Sequence, residues 1–245
     1  YDIAKEIILF NKNLLVEKPL ALTIDESEEL VTLAKNNNVS LMVGHLLLFH
    51  PAIIKIKGLI DDGQIGKLQY IYSNRLNFGQ VRTGENVFWS FAPHDISIFQ
   101  YIVESYPTKI DAFGSKFLQN EISDSVIAKL KYSNGIEGHI FVSWLHPFKE
   151  HRLIVIGTEG MISFDDSKKT KPLKLYSKKF EIKNNSVKKF ERSISLVDYE
   201  IKMPLKEELS YFINSLGKNK PQIANGDHAL EVIKILSEVS SHLKE

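Results

Sequence analysis

The 245-residue sequence contains no cysteine, and this absence excludes several kinds of chemistry at once. Disulfide bridges, thiolate nucleophiles and cysteine-ligated zinc or iron–sulfur sites all require that side chain. Any reaction must therefore use oxygen or nitrogen side chains, or a cofactor. An excess of charge of one sign is also lacking, because 31 Lys and Arg residues balance 30 Asp and Glu residues. The resulting net charge of +1 gives no electrostatic reason to expect a nucleic acid as partner.

Long hydrophobic runs and a phosphate-binding glycine loop are missing as well. No stretch approaches the roughly 20 apolar residues that a membrane-spanning helix needs, so we expect a cytoplasmic protein with no membrane partner. Neither a G-x-G-x-x-G nor a Walker pattern occurs anywhere. The chain starts with Tyr1 instead of Met, and the helical pattern that follows has no capping residue ahead of it. We therefore expect the chain to begin inside a helix, as a fragment of a longer protein would.

The first 45 residues predict the order helix, strand, helix, strand. Leu14–Val16 and Ser40–Gly44 are short apolar runs of the kind that buried parallel strands show. Between them, Thr23 and Glu26 have the spacing of a capping box at the start of an amphipathic helix. A parallel strand pair needs a crossover helix of this length, so this segment is predicted to be the tail of a parallel α/β sheet.

From residue 46 onward the pattern changes to α+β. Two helices are predicted to begin at Pro51 and Pro93, and the segment between them contains a strand and then a long polar loop from Asn77 to Phe91. Antiparallel strands are predicted between Lys109 and about Lys189, followed by two amphipathic helices. Their predicted limits are 109–118, 125–132, 136–145, 153–156 and 161–164 for the first five strands, and 205–216 and 228–243 for the helices.

The strongest local signal for chemistry is Glu17-Lys18-Pro19, directly after a predicted buried strand. Open α/β sheets place their ligands at the carboxyl ends of such strands. A lysine there can donate to a substrate oxygen or to a cofactor amide. The alternative explanation is an exposed lysine at the junction of a strand and a loop.

The second signal is His94, in the first turn of the helix that Pro93 starts. The helix dipole disfavours an imidazolium at this position, so the side chain is held neutral, as a general base must be. A purely structural histidine is the alternative. Asp95, beside it, is explained by the helix dipole. His45 and His50 are five residues apart, which does not suit two ligands on one helical face, and no metal site is predicted.

In this order, the segments resemble the Gfo/Idh/MocA family of nicotinamide-dependent oxidoreductases over essentially the whole chain. The resemblance depends on Glu17–Leu20 after a strand, Leu41–Gly44 after the next helix, the turn Gly63–Leu68, and His94-Asp95 at a helix start. It implies that residues 1–45 are the C-terminal remnant of a Rossmann domain. Residues 46–245 would be an α+β domain that binds substrate and forms a homo-oligomer through a large, open-faced, mainly antiparallel sheet.

The resemblance also implies roles for individual residues. Lys18 would lie between nicotinamide and substrate, and His94 would be the acid/base. The cofactor would be NAD or NADP, with its site incomplete because roughly a hundred residues of strand–helix units would be absent before Tyr1. The residues expected at the cofactor are Glu17, Lys18, Pro19 and His45. Those expected at the substrate are Asn77, Arg82, Trp89, Ser90 and Asp95.

Two positions depart from the family's pattern. Ser90 stands four residues before His94, where an Asp is common, and Leu46-Leu47 follow His45 where an Asn-Arg pair is common. This form resembles a subgroup that oxidises the 3-hydroxyl of nucleotide-linked amino sugars, such as UDP-N-acetylamino sugars. Two alternatives stay open at this point: a dehydrogenase of free aldoses or inositols, and a non-catalytic module for binding or assembly.

Overall fold

The computed structural model describes residues 1–217 and 220–243. The helices are α1 (Asp2–Leu9), α2 (Ile24–Asn36), a 3₁₀ helix (Leu46–Phe49), α3 (Pro51–Asp61), α4 (Val87–Phe91), α5 (Pro93–Val103), α6 (Pro204–Ser215) and α7 (Gly226–His242). The strands are β1 (Leu14–Val16), β2 (Leu41–Val43), β3 (Leu68–Phe78), β4 (Lys109–Ser115), β5 (Ser125–Lys131), β6 (Glu137–Ser143), β7 (Leu145–Gly157), β8 (Met161–Asp165), β9 (Leu173–Lys183) and β10 (Ser186–Leu196).

Packing divides the chain into two compact units. The first contains residues 1–51 and 92–106 together with the described residues from 201 onward, and the second contains residues 52–91 and 107–200. The boundary after residue 45 stays a prediction. Among the described residues, no helix combines the length and the apolar character that a membrane crossing requires.

The first unit is built on a parallel strand pair. Leu14 pairs with Leu41 and Val16 with Val43, and α2 makes the connection between the two strands. The Thr23 capping box that the sequence predicts is present, with the Glu26 amide 3.2 Å from Thr23 Oγ1. On the other side of β2, the Val43 amide donates to the carbonyl of Ala224, 2.8 Å away. This bond places the start of α7 beside the carboxyl end of β2.

The second unit is an eight-stranded sheet in the order β10-β9-β8-β7-β3-β6-β5-β4. Only β3 and β6 run parallel among these neighbours; the other pairs are antiparallel. Trp144 is completely buried, and its indole donates to Asp124 Oδ1 over 2.6 Å. The predicted fold class, a parallel α/β tail followed by a mainly antiparallel sheet with helices, is confirmed.

Several predicted element limits are wrong. The predicted loop from Asn77 to Phe91 ends in a short helix, α4, because Asn86 Oδ1 caps it by accepting from the amides of Phe88 and Trp89. Strand β7 starts at Leu145 and is far longer than the predicted 153–156. The strand predicted to end near Lys189 is a hairpin, with β10 continuing to Leu196.

Candidate functional site

Lys18 follows the carboxyl end of β1, where the sequence predicts a ligand site. The Gly44 amide donates to the carbonyl of Val16 over 2.7 Å, so β1 and β2 stay paired to the last residue before Glu17-Lys18. The peptide bond between Lys18 and Pro19 is cis, as a proline directly after a strand end can be. Lys18 is half-buried. This pairing therefore fixes the start of the loop after β1, and Lys18 is the second residue of that loop.

Glu17 lies against Gly44, the first residue after β2. A methyl group at Gly44 would come within 3.1 Å of Glu17 Oε2 and 3.5 Å of the Val16 carbonyl oxygen. Gly44 itself is buried. A side chain at position 44 would therefore press against the Glu17 carboxylate, which would have to shift by a few tenths of an ångström.

His45 comes directly after Gly44 and is almost completely buried, with 2% of its surface exposed. Neither ring nitrogen has a hydrogen-bond partner among the described residues. Burial lowers the pKa of this imidazole well below its usual value, and a positive charge on His228, His94 or Lys18 lowers it further. His45 is therefore neutral at pH 7. The residues whose charges act on it include Lys18 and His94, the two that the sequence singles out for chemistry.

His228 is a member of this cluster that the sequence reasoning missed. It lies in the first turn of α7, where its backbone amide donates to the side chain of Asn225 over 2.9 Å. Its ring centroid is 5.4 Å from that of His45, and its Nε2 has no hydrogen-bond partner among the described residues. Burial lowers its pKa to about 4. The available signal was its position in the first turn of a helix, the same kind of position as that of His94.

His94 occupies the second residue of α5, after Pro93, as predicted. The helix is held against α7 by a hydrogen bond of 2.7 Å from Gln100 Nε2 to Glu231 Oε2. The starts of α5 and α7 and the end of β2 thus bring His94, His228 and His45 into one neighbourhood. Asp95, in the same first turn, is buried.

This histidine–lysine cluster favours neutral imidazoles. Each additional proton in it would face other positive charges in a region with little solvent, which is costly. A neutral imidazole can accept a proton, and an ammonium can stabilise a developing negative oxygen. The cluster therefore has the groups that proton removal from a hydroxyl requires.

Glu208, on α6, is a second residue that the sequence reasoning missed. It is 2% exposed, and burial together with the negative charge of Glu17 raises its pKa to about 7. Its position in an amphipathic helix gave no signal, because the apolar residues of that helix were expected to be the buried ones.

The four other residues predicted at the substrate belong to the second unit. Asn77 lies at the end of β3, and Arg82 follows in a loop where its carbonyl accepts from Gln119 Nε2 over 2.8 Å. Trp89 and Ser90 lie in α4. Their roles at a substrate stay predictions. Within the described residues, no group of three or more His, Asp or Glu side chains could hold a metal ion.

Two family models match this chain. Residues 1–45 match the model of an oxidoreductase family with an NAD-binding Rossmann fold, and residues 53–163 match the GFO/IDH/MocA C-terminal domain. Together the two models match more than half of the chain.

Curated relatives cover the chain to different extents. An uncharacterized oxidoreductase of Bacillus subtilis, YrbE, is 26% identical over 242 residues, which are 94% of this chain and 69% of that protein. The scyllo-inositol 2-dehydrogenase (NAD(+)) of the same organism is 29% identical over 163 residues, 62% of this chain and 47% of its own. The chain therefore spans between about half and two thirds of these relatives.

Among solved structures, UDP-N-acetylglucosamine 3-dehydrogenase GnnA from Acidithiobacillus ferrooxidans superimposes with a TM-score of 0.84. The match covers 99% of this chain and 75% of that one at 20% identity, so it shows a shared fold. The chain belongs to the Gfo/Idh/MocA family of oxidoreductases, with an NAD-binding Rossmann segment at residues 1–45 and the family's C-terminal domain at residues 53–163.

Proposed function

We propose that this chain carries the catalytic groups of an NAD(P)-dependent dehydrogenase that oxidises a hydroxyl of a sugar or a sugar nucleotide. The observation that supports this most directly is that Lys18 and His94 both act electrostatically on the buried His45. In the cluster, neutral His94 is the general base that takes the hydroxyl proton. Lys18 stabilises the negative charge that develops on the same oxygen.

The residues at the end of β1 and β2 fit the nicotinamide end of such a cofactor. Three buried ring nitrogens have no hydrogen-bond partner among the described residues: His45 Nδ1, His45 Nε2 and His228 Nε2. These nitrogens suit a bound polar group that both donates and accepts hydrogen bonds. Glu17, Lys18, Pro19 and His45 would hold that end. Nicotinamide, when bound, supplies the acceptor for the hydride that leaves the carbinol carbon. The glycine pattern for the pyrophosphate does not occur in these 245 residues.

Sugar nucleotides are the proposed substrates, with Asn77, Arg82, Trp89, Ser90 and Asp95 as contacts. The resemblance of the segments around His45 and His94 to a subgroup that acts on nucleotide-linked amino sugars supports this choice. The fold shared with GnnA is consistent with it. The scyllo-inositol dehydrogenase among the relatives supports free polyols and aldoses as the competing substrate class.

A homo-oligomer is proposed to form through the large sheet. Phe113 and Ile127 are neighbours across β4 and β5, and 77% and 52% of their surfaces are exposed. Large exposed apolar side chains on one sheet face are typical of interaction sites. Light scattering of the protein with both residues replaced by Asp should then show a smaller particle than the wild type.

Turnover with a substrate panel tests the function. The protein, expressed from its complete reading frame, is mixed with NAD or NADP and with UDP-N-acetylamino sugars, free aldoses or inositols, and reduced nicotinamide is followed by absorbance. We expect turnover with a UDP-sugar. Turnover of free sugars alone contradicts the sugar-nucleotide assignment. Calorimetry that detects no binding of either cofactor or of any UDP-sugar contradicts the enzyme and favours a non-catalytic module.

A further inference from the structure

The ring of His45 is buried with both of its nitrogens unmatched. It is 2% exposed, and neither Nδ1 nor Nε2 has a hydrogen-bond partner among the described residues. A neutral imidazole carries one N–H donor and one acceptor nitrogen, and burying such groups without partners costs free energy. Places where a protein breaks this rule are frequently functional. The ring is therefore suited to a polar partner that the described residues do not supply.

His228 presents a second unmatched nitrogen beside the first ring. The centroids of the two rings are 5.4 Å apart, and their planes are tilted by 59°. His228 Nε2 is buried and has no hydrogen-bond partner among the described residues, so the two rings lie side by side without bonding to each other. Burial lowers the pKa of His228 to about 4, so this ring is also neutral at pH 7. The pair can therefore offer one donor and one acceptor, each from a different ring.

Backbone hydrogen bonds fix both rings to the end of β2. The His45 amide donates to the carbonyl of Val43 over 2.7 Å, and the Val43 amide donates to the carbonyl of Ala224 over 2.8 Å. The His228 amide donates to the side chain of Asn225, the residue that caps α7, over 2.9 Å. The loop before α7 is thus bonded to the strand that leads into His45. The spacing of the two rings is therefore set by the fold and does not depend on a bound molecule.

A primary carboxamide is the group that fits such a pair. Its oxygen accepts and its NH2 donates, and the two atoms lie side by side in one plane. A carboxylate offers acceptors only, and two neutral imidazoles would leave its charge uncompensated in a buried place. His45 is the second residue beyond β2, at the edge where open α/β sheets hold their ligands. Residues 1–45 match a family with an NAD-binding Rossmann fold, and nicotinamide carries a primary carboxamide.

We propose that His45 and His228 together bind the carboxamide of nicotinamide, with one imidazole accepting from its NH2 and the other donating to its oxygen. The inference rests on the proposed oxidoreductase function and deepens it, because His228 belongs to α7, outside the matched cofactor segment of residues 1–45. The two bonds hold the nicotinamide ring in one orientation. They take no part in the transfer of the hydride or of the hydroxyl proton.

Calorimetry with two cofactors tests the proposal without turnover. Protein expressed from the complete reading frame is titrated with NAD and with its 3-acetylpyridine analogue, in which a methyl group replaces the amide NH2; if the protein prefers NADP, the corresponding NADP pair is used. The analogue leaves one buried imidazole acceptor without a partner, so we expect it to bind at least about tenfold more weakly than NAD. Equal Kd values for the two cofactors overturn the proposal.

Two variants then assign the two nitrogens. His45→Phe and His228→Phe each keep an aromatic ring and remove its nitrogens. In the variant that lacks the acceptor for NH2, NAD and the analogue should bind equally. In the variant that lacks the donor to the oxygen, which both cofactors possess, both should weaken about tenfold and the ratio of their Kd values should stay that of the wild type.

His242→Phe, at the exposed end of the same helix, is the matched control and should keep both Kd values of the wild type. If neither His45→Phe nor His228→Phe changes the Kd for NAD, the two rings do not bind the amide. Circular dichroism shows whether each variant folds, and if one does not, the comparison of the two cofactors in the wild type still decides.

These measurements also distinguish the failure of this inference from the failure of the proposed function. Protein that prefers NAD over the analogue as expected but turns over no sugar or sugar nucleotide contradicts the proposed function and supports the amide site. Protein that turns over such a substrate but binds both cofactors equally contradicts the amide site alone. Protein that binds neither NAD nor NADP contradicts both.

Discussion

Replacing Glu208 with Gln should remove a pH-dependent loss of stability from the protein. The pKa of Glu208 is about 7 in the folded chain, against an ordinary value of 4.5 in an unfolded one. Between these two values the folded state binds the proton and the unfolded state does not, so the free energy of unfolding falls as the pH rises. Each pKa unit corresponds to about 1.36 kcal/mol, so the complete shift corresponds to about 3 kcal/mol. This stability is fully present below about pH 4.5 and is lost above about pH 7.

Urea unfolding of wild type, Glu208→Gln and the control Glu207→Gln across this pH range measures the effect. Apart from the one substituted glutamate, each variant has the titrating groups of the wild type, so their contributions cancel in the differences. The Glu208→Gln variant should gain stability over wild type as the pH rises, up to about 3 kcal/mol at pH 8. The control should follow the wild type. A difference between Glu208→Gln and wild type that stays constant from pH 5 to pH 8 would refute the reasoning, because it would mean that Glu208 titrates normally.

Three further predictions concern stability. A methyl group at Gly157 would come within 2.1 Å of the carbonyl oxygen of Ile65, so Gly157→Ala should lower the free energy of unfolding in urea by about 3 kcal/mol or more. A methyl group at Gly58 would have nothing within 4 Å, so Gly58→Ala should raise the free energy of unfolding by about 0.5–1 kcal/mol. Equal effects of the two substitutions would contradict the close approach of Gly157 to the Ile65 carbonyl oxygen. Asp124→Ala removes the hydrogen-bond acceptor of two backbone amides and of a buried indole, so we expect the free energy of unfolding to fall by about 3 kcal/mol and the Tm to fall with it. An unchanged Tm would be incompatible with that role of Asp124. Because burial lowers the pKa of His228 to about 4, wild type should lose stability as the pH falls from about 6.5 to about 4. His228→Gln should lose up to about 3 kcal/mol less over that range, and equal losses in the two proteins would contradict the burial of the ring.

Much of the first unit could be predicted because its signals are local. The apolar runs of β1 and β2, the Thr23 capping box and the proline at the start of α5 each depend on a few adjacent residues. The same holds for Lys18 and His94, whose positions at a strand end and a helix start follow from the sequence order. Their roles stay predictions.

Sheet details were predicted less well because their signals are short or non-local. Asn184 and Asn185, with φ of +50° and +57°, form the two-residue turn between β9 and β10. Such turns favour asparagine, but the alternating Lys-rich pattern on both sides is continuous enough to predict one strand. The extension of β7 to Leu145 depends on its pairing with β3, a partner far away in the sequence.

His228 and Glu208 could not be assigned to the site from sequence, because tertiary packing brings them there. The hydrogen bond between Val43 and Ala224 brings the start of α7 to the end of β2, and with it His228 to His45. The orientation of α6 depends on Tyr211, and it reverses the face that periodicity predicts to be buried. In both cases the deciding contact lies more than a hundred residues away in the sequence.

The central claim is that His94 is the base of a dehydrogenase site that also contains Lys18. Its most direct test is the pH dependence of kcat/KM for His94→Ala, compared with wild type in protein expressed from the complete reading frame. We predict that the substitution lowers kcat/KM at least about a hundredfold and removes the rise with pH that reports ionisation of the base. A variant within a few-fold of wild type, with the same pH profile, would contradict the account.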